Sequence, residues 1–192
     1  MIPEAPLERT DVGLVPAGAG WFVLNARDAR WIHREGRGDF LPFTGWTRAE
    51  ADKYFPQVGV NLYVLNPGDP ASMYHGEDSQ EDFLVLKGEC LLIIEGQERP
   101  LKQWDFAHCP PWAEHTIIGA GDGPCIVLGT GTRGGEGIRY PVDATALEHG
   151  AGIEQETDTP AEAYSRFQKP EPTRYRDGWL PQLATRYRRS RP

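Results

Sequence analysis

Long apolar runs are missing from this chain: none approaches the roughly 20 residues that a helix needs to cross a bilayer. Nor do the first residues, Met1-Ile2-Pro3-Glu4-Ala5, show the basic-then-apolar pattern of a secretory signal. Cysteine is scarce. Cys90, Cys109 and Cys125 are odd in number and lie in apolar stretches, so a disulfide framework is excluded and reduced core thiols are expected. These absences predict a cytoplasmic protein with no membrane partner. Positive charge is also in deficit, with 20 Lys/Arg against 28 Asp/Glu and a net charge of −8, which argues against nucleic acid as a partner. The deficit is uneven: from Arg166 onward there are eight Lys/Arg against two Asp/Glu, net +6, which leaves −14 on residues 1–165. The basic run Arg186-Tyr187-Arg188-Arg189-Ser190-Arg191 therefore reads as a solvated tail, or as one lying on the acidic body of its own or a partner subunit. No internal repeat is long enough to suggest a duplicated domain.

Turns, by contrast, are abundant. With 22 glycines and 17 prolines in 192 residues, the chain favours many short strands joined tightly over long helices. Strands are predicted at 21–24 and 30–33. Thr47-Arg48-Ala49-Glu50 is a capping box opening a short helix over 48–55, which Pro56 ends. Strands then follow densely at 58–65, 72–77, 81–87, 90–95, 98–101, 105–109, 115–118 and 124–130. Such even spacing predicts an all-β jelly roll, two Greek-key sheets packed face to face. Beyond Pro141, Asp143 caps a short helix ended by Gly150. Thr159-Pro160-Ala161-Glu162 reads as a second capping box with Pro at the first helical position. Residues 169–192 read as an extended arm. The expected organisation is one domain: N-terminal strands and a helix over 1–57, a barrel over 58–131, and C-terminal helices with the basic arm over 132–192.

Chemistry concentrates in two fragments. The first, residues 68–88, sets His75, Glu77 and Glu81 ahead of the apolar strand Phe83-Leu84-Val85-Leu86. The second, residues 105–115, ends on Glu114-His115 and also carries His108. At period two, His75 and Glu77 share one strand face, while Glu81 and Phe83 share a face on the next. Two imidazoles with one or two carboxylates suit a single divalent ion: zinc, manganese, iron or nickel. His75, Glu81 and His115 are the expected ligands, with Glu77 a fourth or else a free general base. His108 reads as a neighbour of the site or a core residue, His33 and His149 as surface residues, and Asp105 as a turn residue. Phe83 and Tyr63 are placed to line the mouth of a pocket suited to a small organic ligand. Within the barrel segment the nearby cations are Lys87, Arg99 and Lys102, so a phosphorylated sugar finds no obvious clamp there.

These fragments resemble the two motifs of the cupin superfamily. His75 fills the first His, Glu81 the Glu and Gly88 the closing Gly of the first motif; Pro110 and His115 fall at the spacing of the second. The chain departs from the pattern where Glu77 replaces the second His, and where Trp104, Trp112 and Gly119 stand for Gly, Gly and Asn. The resemblance implies a double-stranded β-helix barrel with short N- and C-terminal extensions, a metal cofactor, and pairing into a homodimer. It leaves three functions open. They are a metal-dependent oxygenase acting on a small aromatic or enol-like compound, a non-enzymatic ligand-binding or sensory protein, and a sugar isomerase or epimerase.

Overall fold

In a computed structural model of the chain, which describes residues 1–45, 47–135 and 137–181, seven strands form one large sheet. Along the chain come β1 (Leu7–Thr10), β2 (Gly13–Pro16), β3 (Trp31–His33) and β4 (Asp39–Pro42). Next are α1 (Arg48–Tyr54), β5 (Val58–Leu65), β6 (Gly76–Glu77), β7 (Glu81–Lys87), β8 (Glu89–Ile94) and β9 (Gln97–Lys102). They are followed by β10 (Phe106–Cys109), β11 (His115–Ala120), β12 (Cys125–Thr132) and β13 (Ile138–Arg139). The chain ends in α2 (Ala144–Glu148), α3 (Pro160–Ala163) and β14 (Glu171–Thr173). The large sheet runs β10-β7-β12-β5-β4-β3-β14, and opposite it lies the sheet β11-β8-β9. All the strand pairings are antiparallel. This is the expected all-β jelly-roll barrel.

Alternation along the strands decides which side chains meet. On β12, Cys125 and Val127 turn inward, where they join Leu65, Phe83, Val85, Leu92, Cys109 and Ile117 between the two sheets. Ile126, one residue out of phase, faces the other way and packs with Trp31, Leu41, Leu62 and Val64. The large sheet is therefore apolar on both faces, which explains its near-continuous hydrophobic strands. Its outer face is covered by the chain ends, since Leu24, Tyr175, Trp179 and Leu180 pack against that second cluster. The three cysteines are buried and free.

Several sequence-derived boundaries shift. Residues 21–24 form no strand; Trp21 makes a lone bridge to Glu4, and Trp21 and Val23 are exposed, so the apolar composition there does not mark a core edge. The α1 capping box forms as expected, with Glu50 N donating to Thr47 Oγ1 (3.2 Å) and Thr47 N to Glu50 (3.0 Å). The second does not. Thr159 makes no side-chain cap; instead the Thr157 hydroxyl reaches Glu162 and accepts from Thr159 N, so the turn is tied two residues earlier. The C-terminal segment is not simply an arm, because β14 pairs with β3. Residues 182–192, with their basic run, lie outside the described residues. The predicted strand over 72–77 shortens to β6, because the chain before it follows β11 only through isolated bridges, Pro70 to Ile118 and His75 to His115.

Candidate metal centre

That last bridge builds the site. His75 and His115 face each other across an antiparallel pair and exchange both backbone hydrogen bonds, at 3.1 and 2.8 Å, so their side chains leave on one face. Their ring centroids lie 5.0 Å apart. Each imidazole is aimed by its own backbone: Nδ1 of His75 sits 2.9 Å from Met73 O, and Nδ1 of His115 sits 2.9 Å from Ala113 O. A donating Nδ1–H leaves Nε2 as the free lone pair, the orientation in which imidazole ligates metals. Glu81, at the start of β7, reaches into the same space. Its Oε2 lies 3.0 Å from His115 Nε2 and 3.5 Å from His75 Nε2.

Two imidazole nitrogens and a carboxylate oxygen, all within 4.8 Å of one another, form a set of acceptors turned toward one point. Such a set needs positive charge at its centre. Without an ion, protons must supply it. Burial alone would lower the His115 pKa, but the Cys109 thiol and the Glu81 carboxylate outweigh it and push it up to about 10. Burial would raise Glu81, yet hydrogen bonding to His115 and His75 draws it down to about 2. Both imidazoles are buried, whereas Glu81 keeps 22% of its side chain exposed, which leaves an approach from solvent. The donor set fits a first-row divalent ion with positions to spare.

Neighbouring strands keep this space clear. On β12 the inward positions 129 and 131 are glycine. A Cβ at 129 would stand 2.8 Å from the Tyr63 ring and 3.3 Å from Phe83; one at 131 would stand 3.4 Å from Glu81 Cγ. Phe83 packs on His115 with centroids 5.5 Å apart, and Tyr63 lies beyond it, its hydroxyl pushed up to about 12 by burial and by the charge of Glu81. Both aromatics thus line the site, as strand parity predicts.

Glu77 stands on β6, half-buried, and falls outside the group of three converging ligand atoms. Burial, followed by the charge of Glu81, raises its pKa to about 7. His108 lies away from the site: it is exposed on β10 and bonded to Asp82 at 2.6 Å, so it is neither a core residue nor a neighbour of the ligands. His33 contacts Asp39 and Glu35, and His149 contacts Glu98, both near the surface. Asp105 accepts from Lys102 N at 2.9 Å, the expected turn contact. Trp104 and Trp112 hold φ values of 75° and 70°, the left-handed conformation that glycine adopts freely, so these turns keep their shape despite the bulky residue. Sequence reasoning missed Tyr140, whose ring lies 5.9 Å from His75, and Arg34 and Arg37 of the β3–β4 turn. They come from outside the two fragments, and no periodicity marks them.

Residues 61–130 match the family model of the cupin domain. No protein of curated function matches the chain. Among solved structures, a cupin 2 domain-containing protein of Halorhodospira halophila is 18% identical, with 57% of this chain and 72% of that chain covered and a TM-score of 0.46. A sugar phosphate isomerase from a cupin superfamily, of Silicibacter pomeroyi, is 24% identical over 82% of this chain and 83% of that one, with a TM-score of 0.45. A candidate sugar phosphate isomerase of Acidithiobacillus ferrooxidans is 27% identical with a TM-score of 0.40; the match takes in 43% of this chain and spans about half, 54%, of that protein.

Proposed function

With residues 61–130 forming a cupin domain, we propose that the chain binds one divalent transition-metal ion through His75, Glu81 and His115 and acts there on a small organic molecule. One observation carries this reading: Nε2 of two buried histidines and Oε2 of Glu81 converge within 4.8 Å of one another. Two imidazoles and one carboxylate on one side of an ion leave other positions open for substrate and dioxygen, which supports a metal-dependent oxygenase. When bound, the ion supplies Lewis acidity and, if it is iron or manganese, redox capacity. The chain's own residues do the rest. Met73 O and Ala113 O hold the imidazoles in the ligating tautomer, and Glu81 brings the negative charge. Phe83 and Tyr63 restrict water around the open side. Glu77, whose carboxyl feels the charges of Glu81, His75 and His115, is the candidate for moving a substrate proton.

The test is metal content by plasma mass spectrometry after purification and after reconstitution with iron, manganese, zinc or nickel. Wild type is expected to hold close to one ion per chain, and His75→Ala and His115→Ala well below that. Full occupancy in either variant removes the site. Oxygen uptake by the iron- or manganese-loaded protein with small aromatic and enol compounds then tests the oxygenase reading; its absence across the panel favours a binding role.

A further inference from the structure

The turn between β3 and β4 carries two arginines inward. Arg34 N bonds Gly38 O at 3.0 Å and Arg37 N bonds Arg34 O at 2.8 Å, closing the turn. Arg34 is 6% exposed. Its terminal nitrogens donate to two carbonyls, Ala71 O and Arg37 O, both at 2.8 Å. Nε of Arg34 and Nε of Arg37 are buried without a partner. Among the described residues neither guanidinium has a carboxylate within 4.0 Å, and the nearby Asp39 is engaged by His33 at 2.8 Å. Aromatic rings flank the two cations: Phe40 (4.6 Å) and Tyr63 (5.5 Å) for Arg34, Tyr164 (4.3 Å) and Phe167 (5.3 Å) for Arg37, which also hydrogen-bonds the Tyr164 side chain. Burial, and then the charge of Arg37, lower the Arg34 pKa to about 10. Carbonyls and rings offset part of the desolvation cost of one buried cation. They do not neutralise two.

The pair is tied to the metal centre by two walls of rings. On one side, His115 meets Phe83 at 5.5 Å, Phe83 and Tyr63 crowd the same Gly129, and Arg34 lies over Tyr63. On the other, His75 meets Tyr140 at 5.9 Å, Tyr140 meets Tyr164 at 5.8 Å, and Arg37 lies over Tyr164. The walls begin at the two histidines and end at two guanidiniums joined through one turn. We propose that this region binds the anionic oxygen group of the substrate, a carboxylate or a phosphate, at Arg34 and Arg37 while the rest of the molecule faces the ion. This names the substrate class of the metal site and rests on that reading. Guanidinium forks match the paired oxygens of either anion. The clamp absent from the barrel segment is thus supplied by the preceding hairpin.

Calorimetric titration of the full-length, metal-loaded protein tests this with pyruvate, benzoate, inorganic phosphate and glycerol 3-phosphate, beside the uncharged methyl pyruvate, methyl benzoate and glycerol. At least one anion is expected to bind and its uncharged counterpart not. Arg37→Ala should weaken that binding at least tenfold with metal content and melting temperature unchanged. Arg34 ties two carbonyls, so Arg34→Lys, which keeps the charge and loses the fork, is the second variant, with weakening again expected. Response to pyruvate or benzoate alone assigns a carboxylate, and response to the phosphates alone assigns a phosphate. Equal affinity in Arg37→Ala and wild type, or no anion binding at all, overturns the proposal. Metal content is read separately. If wild type holds no ion, the metal reading fails, and repeating the titration on that protein still scores the arginines.

Discussion

An alanine at Gly119 would place its Cβ 2.1 Å from the carbonyl oxygen of Asn66, 2.7 Å from its carbon and 2.9 Å from Leu65 O. Ordinary contact begins at 3.4 Å, so that carbonyl would have to retreat by about 1.3 Å. It belongs to backbone that cannot swing away. Gly68 N donates to Gly119 O at 2.9 Å and Gly119 N to Asp69 O at 3.0 Å, which locks β11 to the turn after β5. Overpacking a rigid site costs about 1–3 kcal/mol, and breaking two backbone hydrogen bonds adds about 1 kcal/mol each. Gly119→Ala should therefore lose about 3–5 kcal/mol, or on the order of 10 °C in melting temperature for a chain of this size. Asparagine, which the resembled motif carries at this position, would fare worse still. Calorimetry or circular dichroism measures the shift, with Gly123→Ala as the control. A Cβ there meets nothing within 4 Å, so the control should lie within about 0.5 kcal/mol of wild type or gain slightly. A Gly119→Ala protein melting within roughly 2 °C of wild type would refute the steric argument.

Four further outcomes follow from the same structure. Trp112→Gly trades an exposed ring for relief of left-handed strain worth about 1–2 kcal/mol, so stability should stay within about 1 kcal/mol of wild type. Trp31→Ala, at 0% exposure, should cost about 3–5 kcal/mol when both variants are titrated with urea; equal losses would contradict the assignment. The His33 pKa is raised, chiefly by its hydrogen bond to Asp39, so its stabilisation is complete below the unfolded value of 6.5 and fades as pH rises through the higher folded value. The melting-temperature gap between wild type and His33→Gln should accordingly shrink as pH rises above 6.5, and a constant gap would count against it. Glu77→Gln should keep its metal within about tenfold of wild-type affinity in a chelator competition, because Glu77 stands outside the converging three; a larger loss would make it a ligand.

What was legible in the sequence was whatever repeats with a period or is punctuated by turns. Strands at 58–65 and 81–87 are found with the same limits, because alternation and flanking Gly, Pro and Asp mark both ends. His75, Glu81 and His115 were also legible, since spacing within two fragments carries them to one point. Contacts made between distant segments left no local mark. Leu7–Thr10 and Gly13–Pro16 pair around a turn without the hydrophobic pattern of a core hairpin, and their positions are half-buried or exposed. Residues 21–24 look like a strand by composition and are not one, because among the described residues the pairing stops at the single bridge from Trp21 to Glu4. The arginines stayed hidden for a different reason. A charged turn between two strands reads as solvent-facing, and only the tertiary fold shows Arg34 turned inward onto Phe40 and Tyr63.

The pairing of Glu171–Thr173 with Trp31–His33 joins two segments about 140 positions apart, at the rim of a sheet whose inner strands lie between them in the chain. Closing so long a loop adds only slowly to the entropic cost, but it delays the contact until the intervening barrel has formed. Folding should then finish at the edge, with the tail docking last over Trp31 and Ile126. On the ribosome that tail emerges after the whole barrel. Until it docks, the part of the outer face that Tyr175, Trp179 and Leu180 cover stays open, and the nascent chain presents a sticky, incomplete surface to chaperones and to other copies of itself.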